Sequence, residues 1–113
     1  MSLRSLHRIF ISGALFLASA FAASSINYHL ARTHKFAAAD GGREYFDYIT
    51  FDGDSGRLYL SHGSEVLVVD ANSGKEVGKI GGLKVSHGVA VVPEVGRGLI
   101  SDGAQGKAIL FDL

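Results

Sequence analysis

From residue 47 onward the apolar positions come in short runs, each closed by a polar, glycine-bearing turn. The run Asp47 to Asp52 (DYITFD) leads into the turn Gly53–Gly56, and the run Arg57 to His62 (RLYLSH) leads into Gly63-Ser64. Glu65 to Val69 is apolar after its first residue and ends in the turn Asp70–Gly74, and Lys75 to Ile80 supplies a more polar fourth run. Aromatic and β-branched residues punctuated at these intervals predict strands rather than helices. Connections this short leave room only for antiparallel hairpin pairing, since a parallel crossover needs about a dozen residues or more. The expectation is a four-stranded antiparallel sheet over 47–81 and three further strands over 86–112, stacked face to face.

The pattern repeats. Placing Asp47 on His87 gives an offset of 40, under which Gly56 falls on Gly96, Arg57 on Arg97, Ser61 on Ser101 and Gly63 on Gly103. Apolar positions follow, with Ile49 on Val89, Phe51 on Val91 and Leu60 on Ile100. A two-residue insertion near Gln105-Gly106 moves the offset to 42, so that Val68 meets Leu110 and Asp70 meets Asp112. A period of about 40–45 residues with four strands per unit is the pattern of β-propeller blades. The unbroken apolar run Val66 to Val69 fits, because a blade is covered on both faces by its neighbours. The alternative is a chance likeness between glycine-rich hairpins. The predicted fold is all-β and antiparallel: one complete four-stranded blade at 47–85 and a partial blade at 86–113, together an incomplete β-propeller.

Ahead of the strands the pattern changes character. Arg4, His7 and Arg8 form a short basic head, and Ile9 to Ala23 is an apolar run of 15 residues containing Ala20-Phe21-Ala22 near its end. A helical bilayer span needs about 20 apolar residues, so this shorter run with an A-x-A sequence predicts a helical signal peptide over 1–22, cleaved after Ala22, and no stable membrane span. An uncleaved anchor is the alternative. Export follows, to the periplasm or the extracellular space. Residues 23–46 form a leader, in which Tyr28, Leu30 and Phe36 share one alternation phase with polar Arg32 and His34.

Composition removes several classes. Eleven Lys+Arg balance eleven Asp+Glu, so no basic excess points to nucleic acid or to an acidic membrane surface. With no cysteine there is no disulfide scaffold, thiolate zinc site, c-type haem attachment or cysteine nucleophile. An apolar share of 47% argues against disorder. Fifteen glycines, roughly twice the ordinary share of about 7%, indicate many tight turns. No G-x-S-x-G or H-E-x-x-H is present, and Gly78 to Gly82 (GKIGG) lacks the Lys-Ser/Thr ending of a phosphate loop.

Ser61 to Lys75 (SHGSEVLVVDANSGK) resembles the blade repeat of the YncE-like, YVTN-repeat β-propellers, with their YVxN, VxVID and TGKVV segments. Gly88 to Val91 is similar to the HGVAV first strand of that repeat, and Gly42 to Asp52 resembles the entry to the first blade in secreted members. The likeness spans about Tyr28 to Leu113. It implies the propeller fold and no single activity, because related propellers host ligand binding, lactone hydrolysis and scaffold roles alike. It also implies a use for the leader, as an N-terminal strand that completes the last blade; a flexible lead-in is the alternative. Closed propellers have about four to eight blades. The chain is therefore expected to be the N-terminal piece of a longer protein whose remaining blades complete the ring, the alternative being a ring of several short chains.

Topology sorts the polar residues. In a four-stranded antiparallel blade alternate connections emerge at opposite ends, which places His62–Ser64, Leu83–His87 and Asp102–Gly106 on one rim with Glu44–Asp47. The turns Asp52–Gly56 and Asp70–Gly74 go to the other. The ligand-rim candidates are thus Asp47, His62, His87 and Asp102. His62 and His87 with Asp102 or Asp47 have the chemistry of a divalent-metal set, but the commoner role of such residues is pairing with loop backbone. No metal, cofactor or catalytic residue is assigned. Asp52-x-Asp54-x-Gly56 resembles the start of an EF-hand loop, yet the sixth residue is Arg57 and the twelfth Gly63, so an ordinary turn is read instead. Ser61 and Ser101 recur at equivalent strand positions and are read as structural. The predicted function is a noncatalytic, exported scaffold that binds an unknown ligand or protein partner at this rim. The alternative is a metal-dependent, lactonase-type hydrolase in which rim carboxylates and imidazoles hold a cation that activates water.

Overall fold

A computed structural model describes residues 27–39 and 45–113. The predicted signal peptide at 1–22 lies outside the described residues, as does Glu44. Seven strands make up the described chain: β1 (Phe46–Asp52), β2 (Arg57–His62), β3 (Glu65–Asp70), β4 (Glu76–Ile80), β5 (Ser86–Val92), β6 (Arg97–Asp102) and β7 (Lys107–Asp112). The first four form one antiparallel sheet in chain order, and the last three form a second. Among the described residues the only helical element is a single 3₁₀ turn, Pro93–Val95. The fold is all-β, with two unclosed antiparallel sheets.

Turn chemistry fixes where each strand ends. Asp52 accepts from the backbone N–H of Asp54 (3.1 Å) and from the Ser55 hydroxyl (2.5 Å), and Gly56 at φ 67° completes the β1–β2 turn. At the equivalent place in the second sheet Pro93 presets a 3₁₀ turn, closed by the N–H of Gly96 on the Pro93 carbonyl (3.0 Å) with Gly96 at φ 64°. Different side chains thus build the same reversal, while both use a glycine in the left-handed region that other residues enter only with strain.

The repeat read from the sequence is a repeat of register. Ile49 faces Leu60 in the first sheet as Val89 faces Ile100 in the second, and Arg57 faces Asp70 as Arg97 faces Asp112. An irregularity interrupts β1 between Phe46 and Ile49, and another interrupts β5 at the equivalent place, between Ser86 and Val89. Closing bonds recur as well. Gly63 N–H donates to Tyr45 O and Gly103 N–H to Val85 O, both at 3.0 Å, and Ala71 to Gly56 O (2.9 Å) is matched by Leu113 to Gly96 O (3.1 Å). The two-residue insertion sits where it was read: His62 pairs with Glu65 across two turn residues, whereas Asp102 pairs with Lys107 across four.

The sheets stack face to face, as expected. Strand alternation turns Tyr59 and Val66 of the first sheet toward Val89 and Ile100 of the second, and Leu83 of the connection joins them in a buried cluster flanked by Val68, Ile80, Val91 and Phe111. The Tyr59 and Phe111 rings meet at 5.8 Å between centroids. Phe111 lies over Gly98, its cross-strand partner, where a Cβ would come within 2.1 Å of the ring. Hydroxyl hydrogen bonds cross between the sheets near β5, from Thr50 to Val89 O (2.6 Å), from Ser61 to His87 O, and from Ser86 to Gly63 O (3.0 Å) and Glu65 O (2.9 Å), and the Ser86 N–H also donates to Gly63 O (2.8 Å).

The leader forms no strand among residues 27–39. Its polar side chains instead reach the β3–β4 turn, with Arg32 Nη1 donating to Ser73 O (3.5 Å) and the His34 ring lying against Gly74. The Phe36 ring sits 6.2 Å from that of Phe46. Between this segment and the outer face of the first sheet is a cleft of about 570 Å³ floored by Leu58, Leu60 and Val69.

Candidate functional site

The two irregular strand entries carry the one solvent-open ionisable pair among the four predicted rim residues. Asp47 lies in the irregular stretch of β1 and His87 in that of β5, at equivalent positions of the repeat. Stacking of the sheets brings these equivalents together, with His87 Nδ1 2.6 Å from Asp47 Oδ2. Both side chains are partly open, at 43% and 31% exposure. A bulge re-aims its side chains relative to the regular alternation, and here the local backbone is pinned on both sides. Ser61 donates to the His87 carbonyl, and Gly88 N–H donates to the Ser101 hydroxyl at 3.0 Å. The imidazole lies against the β6–β7 turn, where a Cβ on Gly103 would stand 2.7 Å from Nε2. With Nδ1 facing the carboxylate, Nε2 is left as the ring's second hydrogen-bonding atom.

His62 and Asp102 occupy equivalent positions, at the ends of β2 and β6, and the structure buries both, at 1% exposure each. His62 alternates with Leu58 and Leu60, so it lies on the outer face of the first sheet, opposite the side that Tyr59 and Ser61 present to the second sheet. Its ring stacks on Phe46 at 4.3 Å and 3° between planes, with Nδ1 3.7 Å from Glu65 Oε1. Glu65, itself buried, is joined by Lys79 Nζ at 3.2 Å. Asp102 accepts from Lys84 N–H (2.8 Å), Val85 N–H (3.2 Å), Gln105 N–H (3.3 Å) and the Gln105 side-chain amide (2.6 Å). Burial alone raises its pKa, but the hydrogen bonds from Lys84, the Gln105 side chain, Val85 and the Gln105 backbone outweigh that and hold the carboxyl at about 2. Asp102 is therefore a fixed anion that ties the β4–β5 connection to the β6–β7 turn.

At the opposite end the carboxylates close turns. The Ser55 hydroxyl holds Asp52 below the ordinary carboxylate value. The Ser73 N–H and hydroxyl, both at 2.7 Å, do the same for Asp70. Among the described residues no three His, Cys, Asp or Glu side chains converge as a metal site.

Gln105, Ser86, Glu65 and Lys79 were not singled out in the sequence. Glu65 and Lys79 had a signal: an acid opening an otherwise apolar strand, with a lysine on the same face of the neighbouring strand, suits a cross-strand ion pair. Gln105 and Ser86 reach partners distant in sequence or set by an irregular turn, for which local pattern has no mark. No protein-family model, curated protein or solved structure matches the chain. No helix among the described residues is long and apolar enough to cross a membrane.

Proposed function

We propose that this is an exported repeat protein of the propeller type, similar to the YVTN-repeat proteins, whose rim at Asp47 and His87 binds a ligand or partner without turning it over. The observation that carries this reading is the pairing of equivalent repeat positions at one end of stacked sheets. Register, bulge and closing bonds recur at offsets of 40 and 42, and the stacking delivers one oriented imidazole–carboxylate pair to solvent. Concave rims between repeated sheets suit recognition, since rigid strands hold short loops in place. Of the other two candidates, Asp102 ties the β4–β5 connection to the β6–β7 turn, and His62 is buried on the first sheet's outer face against Phe46. Both are buried, which leaves Asp47 and His87 as the rim's contact groups.

The test maps binding by amide chemical shifts while a library of small polar compounds is added to the folded protein. Shifts gathered at residues 47, 87–88 and 103, abolished by Asp47→Asn with His87→Gln, support the reading. Shifts confined to the turns Asp52–Gly56 and Asp70–Gly74 contradict it. Lactone hydrolysis that is lost on chelation and in His87→Ala replaces the binding role by the hydrolase alternative. Export has its own test: a secreted product whose N-terminal residue is Ala23 supports cleavage after Ala22.

A further inference from the structure

The two sheets do not meet through the same face. The face of the first sheet that carries Thr50, Tyr59 and Val68 seats on the face of the second that carries Val89, Ile100 and Phe111. By the repeat, the counterparts of Tyr59 and Val68 are Leu99 and Leu110, which face one another across β6 and β7 on the second sheet's outer side. The counterparts of Val89 and Val91 are Ile49 and Phe51, on the first sheet's outer side. Both carry exposed apolar side chains, Leu99 and Leu110 at 44% and 63% exposure and Ile49 and Phe51 at 62% and 59%, although Leu67 and Val69 on the first sheet's outer side are buried. Each outer side thus carries aliphatic counterparts of part of the internal interface, with Ala108 where the first sheet has Val66. Ser101 is the counterpart of Ser61, whose hydroxyl crosses to the carbonyl of His87, but the Ser101 hydroxyl bonds within its own sheet, accepting from Gly88 N–H at 3.0 Å.

We propose that the chain associates head to tail with further copies of itself, the outer face of β5–β7 in one copy seating on the outer face of β1–β4 in the next. The contact is heterologous, so it propagates until a ring closes or a filament grows. Its chemistry is already realised inside the molecule, with aliphatic side chains at matched register. The leader partly occupies the receiving face, over Leu58, Leu60 and Val69, and stands off it by the cleft described above. It leaves Ile49 and Phe51 uncovered, so seating a second copy shifts the leader without unfolding a strand. This inference is independent of what the rim binds.

Sedimentation velocity on the full chain tests it, with Phe51→Asp and Leu110→Asp as variants at exposed positions. The unaltered chain is expected to assemble with rising concentration, and each variant alone to remain monomeric. An equimolar mixture of the two is expected to form dimers and nothing larger, because each variant keeps one intact face and the two intact faces are the complementary ones. Circular dichroism checks that both fold; if either does not, Leu99→Lys or Ile49→Lys takes its place on the same face. A monomeric unaltered chain overturns the proposal. So does dimerisation of either variant alone, which shows a symmetric contact, or association that survives in both, which places the contact elsewhere in the chain.

Discussion

Four hydrogen bonds converge on Asp102, two of them from the backbone of Lys84 and Val85 in the connection between the sheets. They lower its pKa from 3.8 to about 2. A carboxyl whose folded value is depressed stabilises the fold above its ordinary value, and that stabilisation is lost as pH falls through the folded value. The window is therefore the interval below 3.8 and down through about 2. Asp102→Asn is expected to lower Tm at neutral pH and to flatten the fall of Tm across that interval. The part of the fall that remains belongs to Asp52 and Asp70, which are shifted the same way. Thermal melts of both proteins over this pH range check it; parallel acid limbs would count against the assignment. At the apolar end of the residue scale, Ile100 has no exposed surface and sits in the shared cluster, whereas Val95 in the 3₁₀ turn is 65% exposed. Ile100→Ala is expected to cost about 2–5 kcal/mol by lost transfer and cavity formation, and Val95→Ala less than about 0.5 kcal/mol, both read by urea unfolding.

At the level of elements, the turns are the parts most exposed to single substitutions. Gly56 and Gly96 close equivalent reversals at φ 67° and 64° with open space where a Cβ would stand, so backbone conformation alone decides the cost of a side chain there. Gly56→Ala and Gly96→Ala should each destabilise by about 1–2 kcal/mol. Gly53→Ala, whose Cβ would meet only Phe51 at an ordinary 3.8 Å, should stay within about 0.5 kcal/mol. Equal effects at all three in urea unfolding would show that something other than the left-handed backbone matters. Strands and insertion were legible because turn glycines and period-two runs are local signals, and the Gly56 and Gly96 match survives even though Asp52 and Pro93 build the two turns differently. The bulges at Phe46–Ile49 and Ser86–Val89 were not legible, since they arise only on pairing. Nor was the site wholly so. Topology sent Asp47, His62, His87 and Asp102 to one end, but their burial depends on which face meets another layer. His62 shares the outer face with Leu58 and Leu60, and Asp102 finds two of its donors in a connection 17 and 18 residues away.

For the molecule as a whole, the decisive feature is that neither sheet owns its core. Tyr59 and Val66 from one and Val89 and Ile100 from the other form a single buried cluster, and the hydroxyls of Thr50, Ser61 and Ser86 bond to backbone carbonyls across the divide. The inner face of β5–β7 is buried against the first sheet. Breaking the contact strips the apolar cover from Ile100 and leaves Gly63 O and Glu65 O without the Ser86 hydroxyl, so opening one sheet removes the reason for the other to stay closed. The two should therefore unfold together. In native-state hydrogen exchange, the amides of Leu99 and Ile100 are expected to open with the same free energy and the same denaturant dependence as those of Leu60 and Leu67. Ile100→Ala should then lower both sets equally, although the substitution lies in only one sheet. A lower-energy opening confined to β5–β7, with the amides of β2 and β3 unaffected by Ile100→Ala, would mean that each sheet is held by its own contacts and that the shared cluster contributes little.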